Sequence, residues 1–311
     1  MRKISLFSAA VLAPLSTAVW AGSAGEQQAL DFLSRNILSI AEDELIGAFD
    51  GTLPRRFQSF EVEVISLDPG KPQYSVTTVM SVYDNPRDGL AAFFQGRYST
   101  QSNRDTINLG FGQRLLLREN TVIVGANAFY DYEFNAAHSR MGLGGELLTG
   151  VGDVRVNGYW ALSGDRFRND GSMETALDGY DAELAVPLPY LPTTRVHAKT
   201  FKWYGVYGHH DLKGQSYSLR SELPWGIIVE VGTTDYNSLR DQRFFSLSFN
   251  LLEFNKPGDS NRDLFVSPEM FAFRDVSDRR FEKVRRENRI IKQVARPAGG
   301  GGTIVVVFEG V

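Results

Sequence analysis

The residues of this chain best suited to acid–base chemistry are its four histidines. His209 and His210 precede Asp211, which places imidazole and carboxylate groups side by side, as the base of a hydrolase or acyltransferase requires. These residues fall between two β-prone segments, where a surface pair of histidines in a loop is the commoner arrangement. His138 and His197 are isolated, and the sequence contains no Gly-x-Ser-x-Gly or His-Glu-x-x-His motif. We therefore predict no catalytic residue.

Two further short sequences resemble ligand-binding motifs but lack the full pattern. Asp84-Asn-Pro-Arg-Asp-Gly89 has the composition of a calcium loop without its spaced ligands and terminal Glu, so we predict a hairpin turn. Gly110-Phe-Gly112 lies in mid-strand, where glycine relieves crowding rather than binding a phosphate. The chain has no cysteine, which excludes disulfides and thiolate metal sites. We expect no cofactor and no metal.

The overall charge excludes one class of partner. The formal net charge is -4 and the sequence pI is about 5.7, so the chain lacks the broad positive field that nucleic acids require. We expect no nucleic acid partner.

The N-terminus indicates export from the cytoplasm. Arg2 and Lys3 precede a mostly apolar stretch that ends at Leu15, and Ala18-Val-Trp-Ala21 presents the small residues of a cleavage site. We predict a signal peptide over residues 1–21; the alternative is a membrane-anchoring helix. No later stretch approaches the roughly 18 consecutive apolar residues of a spanning helix. The mature chain is therefore expected to be periplasmic, secreted or an outer-membrane barrel.

Residues 22–56 are expected to form a periplasmic segment. Leu30, Leu33, Ile37 and Ile40 follow helical spacing, which predicts a short amphipathic helix ending near Gly47. This helix either docks on another part of the protein or remains a solvated arm.

From residue 57 to residue 254 the hydrophobic pattern changes to period two, in segments of about ten residues separated by turn residues. In the segment from Arg104 to Leu115, polar and small residues occupy one face and apolar residues the other. A soluble sandwich or propeller also alternates, but its polar face favours Lys and Glu. Here that face repeats Arg, Glu, Asn, Gly and Ser, which suits a hydrated lumen, and Tyr and Trp concentrate towards segment ends, as in interfacial girdles.

The pattern predicts an all-β fold, a transmembrane antiparallel up-and-down β-barrel of about twelve strands. The ninth strand, near Arg195 to Tyr204, alternates poorly because Lys199 and Lys202 have opposite parity, so we expect a bulge or an early exit into solvent there. The predicted strands begin near residues 60, 73, 88, 104, 121, 138, 152, 178, 195, 215, 226 and 242.

Several motifs, in this order, resemble the translocator domain of inverse autotransporters, the intimin and invasin family of outer-membrane adhesins. The resemblance covers most of residues 57–296. The motifs are Asn108-Leu-Gly-Phe-Gly-Gln-Arg114, Asn127-Ala-Phe-Tyr-Asp131, Ser139-Arg-Met-Gly-Leu-Gly-Gly-Glu146, Val156-Asn-Gly-Tyr159, Leu162-Ser-Gly164, Asp178-Gly-Tyr-Asp181 and Leu188-Pro-Tyr-Leu-Pro192.

The resemblance implies a barrel whose last strand is followed by a linker that returns through the pore and emerges outside, before a passenger. Arg285-Arg-Glu-Asn-Arg-Ile-Ile291 is similar to the segment that leaves the pore. Basic linker residues would then pair with acidic lumen residues; the alternative is a solvated tail. The expected linker residues are Arg279, Arg280, Lys283, Arg285, Arg286, Arg289 and Lys292. The residues expected to face the lumen are Arg114, Arg140, Glu146, Arg155, Asp181, Glu183, Arg220, Glu222 and Glu230.

We accordingly expect a barrel over residues 57–254, a linker through the pore over residues 255–297, and a short stub over residues 298–311 that contains the β-prone stretch Thr303 to Phe308. We expect no peptidoglycan-binding module before the predicted barrel. The stub is too short for an adhesive domain, since domains begin at roughly 50 residues. The chain is then a barrel-only member, a truncated member, or the partner of a passenger encoded elsewhere.

The predicted function is that of a translocator and anchor in the outer membrane of a Gram-negative bacterium, not an enzyme. The alternatives are a small porin-like channel and an outer-membrane lipid-modifying enzyme. The expected partners are outer-membrane lipid, lipopolysaccharide and the outer-membrane assembly machinery, and the passenger or surface partner is unknown.

Overall fold

A computed structural model describes residues 56–67, 73–85, 87–101, 104–168, 171–254, 266–271, 273–297 and 304–309. The predicted signal peptide and the predicted N-terminal helix lie outside these residues. Within the described part of the chain, no helix has the length and apolar character needed to cross a membrane.

Twelve of the described strands form one closed antiparallel barrel, which confirms the predicted all-β barrel and its strand number. The first strand, β1 (Phe57–Leu67), pairs with its sequence neighbour and also with the last barrel strand, β14 (Gln242–Asn250), so that no edge of the sheet is left open. Closure matters in a membrane because an unpaired backbone group in hydrocarbon costs several kcal/mol. The barrel strands are β1 (Phe57–Leu67), β2 (Gln73–Asn85), β3 (Leu90–Gln101), β4 (Arg104–Leu117), β5 (Val122–Glu133), β6 (His138–Thr149), β7 (Asp153–Ala161), β10 (Gly179–Leu188), β11 (Leu191–Trp203), β12 (Leu212–Leu223), β13 (Ile227–Tyr236) and β14 (Gln242–Asn250).

The two faces of the strands differ as the alternation predicts. In β4, Asn108 and Arg114 are buried, whereas Leu109, Phe111 and Leu115 between and beside them are exposed. Side chains of opposite parity point to opposite faces of a sheet, so the polar residues converge on the barrel interior and the apolar residues form its outer wall.

The turns separate the two ends of the barrel, which we call the near end and the far end. The near end carries the start of β1 and the turn between β2 and β3. In that turn Asn85 Nδ2 donates to Asp88 Oδ2 at 2.9 Å, and Gly89 has a φ of 68°, so the predicted hairpin turn at Asp84 to Gly89 is confirmed. The far end carries the connections that follow β1, β3, β5, β7, β11 and β13.

A second, smaller sheet lies at the far end. Between β7 and β10 the chain forms two short strands, β8 (Arg166–Phe167) and β9 (Met173–Ala176), and β9 pairs with β15 (Lys292–Pro297). The β-prone C-terminal stretch forms β16 (Ile304–Glu309), which pairs with β15 and completes the order β16-β15-β9-β8. A four-residue helix, α1 (Leu251–Phe254), follows β14 at the near end.

The expected irregularity in the ninth barrel strand is wrong. β11 pairs without interruption with β12 from Thr194 to Trp203, and its pairing with β10 shifts only at the near-end turn, between Pro187 and Leu188. Lys199 faces the interior, with its Nζ 3.7 Å from Glu287 Oε2. Lys202 faces outward but sits at the far-end rim, where its Nζ lies 2.9 Å from Asp211. An outward lysine at a rim keeps its charge in water, so it requires no bulge.

We expect that replacing Phe111 with Arg destabilises the barrel by about 2 to 4 kcal/mol, because Phe111 lies near the middle of β4 on the outer wall. Leu117→Arg is the matched control: it lies on the same face at the near-end rim, where the cost falls to about 0 to 1 kcal/mol. The loss of the folded band on heating, followed by gel mobility, measures the difference. Equal stability of the two variants would contradict the assignment of this face to lipid.

Candidate functional site

The barrel interior is the part of the molecule where charged side chains concentrate, and residues 276–294 lie against it. We call these residues the interior segment. At the near end, Val276 N donates to Asn120 O at 2.8 Å, and at the far end Leu177 N donates to Ile291 O at 3.0 Å. The segment therefore contacts the wall at both ends of the barrel.

At the near end the segment begins with a 3-10 turn, Ser277–Phe281. Arg279 Nη2 lies 2.8 Å from Asp153 Oδ2, a buried carboxylate at the start of β7. The Phe281 ring packs edge-on against the Phe93 ring at 6.4 Å and belongs to a buried apolar cluster with Val79, Ala91, Phe129 and Val284.

The rings of this cluster explain the mid-strand glycines. A Cβ on Gly110 would lie 2.2 Å from the Phe129 ring, and a Cβ on Gly112 would lie 2.3 Å from the Phe93 ring. No side chain fits in that space, so only glycine lets the two phenylalanines lie flat on the wall beneath the segment. The interpretation of these glycines as a response to crowding is supported.

The centre of the interior is a buried cluster around Asp131. Arg286 of the segment donates to both carboxylate oxygens of Asp131, at 2.7 and 2.8 Å. Arg140 on β6 donates to the same carboxylate at 2.9 Å and Asn108 at 2.8 Å. The guanidinium of Arg286 also lies 4.4 Å from the Phe129 ring centroid. A bidentate pair with a planar partner fixes position as well as charge.

Other cations of the segment meet wall carboxylates at neighbouring positions. Arg285 Nε lies 3.1 Å from Glu183 and its Nη2 lies 3.0 Å from Glu230, so this side chain bridges β10 and β13. Lys283 donates to Glu61 on β1. These segment cations thus bind different parts of the barrel circumference.

The wall also satisfies the backbone of the segment, which has little secondary structure of its own. Arg114 Nη1 donates to Glu282 O at 2.7 Å, and Arg140 Nη2 donates to Glu287 O at 2.7 Å. Val284 N donates to the Gln95 side chain at 2.8 Å. Buried backbone groups need such partners, so these polar wall residues hold an extended chain inside the barrel.

At the far end the segment passes through a second apolar cluster into an ion-pair network. Ile291 packs with Leu177, Phe201, Trp203 and Leu212, as well as Tyr159. Beyond it, Lys292 Nζ donates to Glu133 at 2.6 Å.

Glu174, on β9, is fully buried within the same network and lies 2.7 Å from Arg104. Burial raises the pKa of Glu174, but the nearby His138 ring, the hydrogen bonds from Arg104 and the charge of Lys292 outweigh it and hold the pKa below its ordinary value. The carboxylate is therefore ionised at neutral pH. Glu174 therefore links the connection between β7 and β10 to the far end of the interior segment.

The segment does not fill the barrel. A cavity of about 200 Å³ remains on the side of β1–β3 and β10–β14, lined mainly by polar and charged residues that include Gln73, Thr77, Arg97, Ser216 and Thr234. This cavity is large enough for several water molecules, which need about 10 to 15 Å³ each on this measure.

Most residues predicted to face the lumen are buried there, and Glu222 is the exception. Its side chain is half exposed at the near-end rim, because β12 ends one residue later, at Leu223. Those with buried positions are Arg114, Arg140, Glu146, Arg155, Asp181, Glu183, Arg220 and Glu230.

Only some of the acidic wall residues that were predicted to pair with the segment cations do so. Of the predicted acidic residues, Glu183 and Glu230 bind a cation of the segment. Glu146 pairs instead with Arg114 of the wall at 2.6 Å, and Asp181 accepts hydrogen bonds from Tyr159 and Asn157. Four acidic partners were not predicted from the sequence, although their inward parity signals them; these are Glu61, Asp131, Glu133 and Asp153.

Among the predicted linker residues, two do not bind an interior carboxylate of the wall. Arg280 pairs with the partly exposed Asp84 at the near end, at 3.1 Å. Arg289 pairs with its neighbour Glu287 at 3.2 Å. Those that bind buried wall carboxylates are Arg279, Lys283, Arg285, Arg286 and Lys292.

The histidines do not form a reactive site among the described residues. His209 and His210 are exposed in the loop between β11 and β12, as predicted. His138 Nδ1 lies 2.9 Å from Ser163 Oγ and its Nε2 lies 3.6 Å from Glu174, which outwardly resembles a Ser-His-acid triad. Glu174 is already neutralised by arginines, and Ser163 Oγ accepts the Ser139 N–H, so the arrangement is an ion-pair network.

Comparisons with known proteins agree with this geometry. Residues 15–215 match the model of the inverse autotransporter β-domain. The chain is 28% identical over 232 residues to intimin of Escherichia coli O127:H6, an alignment that covers 70% of this chain and 23% of that protein. It is 24% identical over 205 residues to invasin of Yersinia enterocolitica, covering 64% and 24% respectively. The chain thus spans about a quarter of the length of these relatives.

A solved structure shows the same fold. A chain from a study of in-meso crystallization of membrane proteins superposes with a TM-score of 0.62 at 22% identity, covering 76% of this chain and 99% of that one. Because the family model matches well over half of the chain, and the barrel with its charged interior is the architecture that the motifs imply, this chain belongs to the inverse autotransporter β-domain family of Gram-negative outer-membrane proteins.

Proposed function

We propose that the chain is an outer-membrane translocator and anchor of the intimin and invasin type. The barrel is held by its apolar outer wall, and residues 255–297 are the linker that returns through the pore. In this proposal the predicted helix in residues 22–56 lies on the periplasmic side of the membrane, and the far end of the barrel faces the outside of the cell.

The observation that carries the proposal is the bidentate contact of Arg286 with Asp131. It lies at the centre of a series of ion pairs that starts at Arg279 near one end and finishes at Lys292 near the other. Successive ion pairs with buried carboxylates are not expected of a solvated tail, but they are expected of a linker that is held inside a pore. Whatever follows residue 297 in the complete protein would be held at the cell surface.

Two alternative functions are less well supported. A lipid-modifying enzyme needs an accessible nucleophile and base, and Ser163 and His138 are tied into structural hydrogen bonds. We therefore propose that the chain is not an enzyme. A diffusion porin needs an open pore, and the cavity beside the segment is the observation in its favour; conductance separates it from the plugged state.

Surface labelling tests the orientation. The chain has no cysteine, so a single introduced thiol reports without background. Phe167 is 80% exposed on β8 at the far end, and Arg87 is exposed in a near-end turn. We expect a bulky PEG-linked maleimide, too large for porins, to label Phe167→Cys on intact cells, and to label Arg87→Cys only after permeabilisation. The reverse pattern, or labelling of neither variant in a folded protein, would overturn the proposed anchor.

A further inference from the structure

The outer wall of the barrel carries cations at one rim only. On the described barrel strands, the outward-facing positions with a basic residue are Lys202 near the end of β11, Lys213 near the start of β12 and Arg243 near the start of β14. All three lie at the far end. At the near end, basic residues outside the interior lie in turns, as Arg87 and Arg118 do. The outward-facing cations of the described barrel strands therefore lie at one membrane surface only, where Asp105 and Asp235 also face outward.

Two of these cations face each other directly. Lys202 and Lys213 are cross-strand partners, and like charges in that position repel. One ammonium group has a counter-charge, since Lys202 Nζ lies 2.9 Å from Asp211. Lys213 is exposed and, among the described residues, has no carboxylate within ion-pair distance; its charge acts on the same Asp211, so one carboxylate serves two ammonium groups. The pair therefore carries an excess positive charge, which a bound anion would offset.

Aromatic rings surround the pair on the outer wall. Tyr180 on β10 is the other cross-strand neighbour of Lys202, and the Tyr204 ring centroid lies 4.5 Å from Lys202 Nζ. Tyr217 follows on β12, and all three tyrosines are between 41% and 45% exposed. Tyrosines on an outer wall mark the depth of the lipid headgroups. The two ammonium groups therefore lie at the depth where lipid phosphates lie.

We propose that Lys202 and Lys213, with the exposed faces of Tyr180, Tyr204 and Tyr217, bind a phosphate of the saccharolipid of the outer leaflet, the lipid A part of lipopolysaccharide. The lysines supply point charges for the phosphate. The tyrosine faces offer apolar surface to the sugar rings that carry it, with their hydroxyls towards water. This inference rests on the proposed function, because it needs the far end to lie in the outer leaflet.

The test is a titration of the full-length protein in detergent with purified lipid A, followed by native mass spectrometry. The double variant Lys202→Gln/Lys213→Gln should bind lipid A at least about tenfold more weakly, since a charge-assisted hydrogen bond is typically worth that factor. The matched control, Arg87→Gln/Arg118→Gln, removes the same charge at the near end and should bind as the unmodified protein does. Gel mobility before and after heating shows that both variants are folded.

Several outcomes would overturn the site. These are unchanged binding in the double variant, equal loss in the control, and equal binding of dephosphorylated lipid A. If phosphatidylglycerol binds as tightly and responds to the same variants, the surface is a general anionic-lipid site and the assignment to lipid A is wrong. Surface labelling of Phe167→Cys distinguishes failure of the lipid site from failure of the proposed function. If Phe167→Cys is labelled but the double variant binds lipid A normally, only the lipid site is wrong. If Phe167→Cys is not labelled, the proposed anchor is wrong.

Discussion

Replacing Asp131 with Asn should cost the folded barrel about 3 to 5 kcal/mol, the largest effect we expect from a single isosteric change. The side chain of Asp131 is fully buried, and its carboxylate is shared by Arg140 and Arg286, which are buried as well. An amide of the same shape fills the space but leaves two guanidinium groups without a counter-charge. Removing one partner of a buried ion-pair network lowers the stability far more than replacing the whole network with apolar residues would.

The matched control is Asp84→Asn, the same chemical change in a pair at the surface. Asp84 binds Arg280 at the near end with both side chains about one third exposed, so its loss should cost about 0 to 1 kcal/mol. Urea unfolding in detergent, followed by the mobility of the folded band, compares the two variants. If Asp131→Asn is no less stable than Asp84→Asn, the segment is not held by this cluster.

A double-mutant cycle separates the contribution of the segment from that of the wall. In the background of Asp131→Asn, changing Arg286 to Met removes one of the uncompensated charges and should restore part of the lost stability. Changing Arg286 to Met alone should destabilise, because it leaves Asp131 with Arg140 as its remaining buried cation. Such non-additivity is expected of residues in one ion-pair network.

The strands of the barrel follow from the sequence because two different solvents act on alternate residues. Lipid outside selects Leu109 and Phe111, and the polar interior selects Asn108 and Arg114, so the period-two pattern survives in strands such as β4. The pattern weakens at the rims, where both faces are wet. That is why Lys202 suggested a bulge that does not exist, and why Glu222, although its parity is inward, is half exposed.

The small far-end sheet could not be predicted from the local sequence. β8 has two residues and β9 has four, which is too short for a periodic signal. β9 forms because it pairs with β15, more than a hundred residues later in the chain. The contacts of the segment with the wall are equally non-local: Asp131 and Arg286 were each visible, but only the closed barrel brings them together.

Removing the interior segment should turn a closed barrel into an open one. Two apolar clusters, around Phe281 near one end and Ile291 near the other, pack the segment against the wall, and ion pairs hold it between them. We expect the intact protein to show only small conductance steps in planar bilayers, because ions can pass only through the cavity beside the segment. A chain truncated after Phe254 should show large, stable channels, with conductance about tenfold higher or more, as in barrels with a water-filled lumen.

Truncation after Pro297 provides the matched control, since it removes the C-terminal residues but keeps the whole segment. Its conductance should stay low, because every ion pair from Arg279 to Lys292 remains. The chain truncated after Phe254 could fail to fold, and a second variant covers that outcome. In the full chain, Arg285→Glu/Arg286→Glu should expel the segment, because the new carboxylates would face Glu230 and Asp131. Large, stable channels in the unmodified protein would favour a porin, because a segment bound along the interior by buried ion pairs cannot leave the pore open.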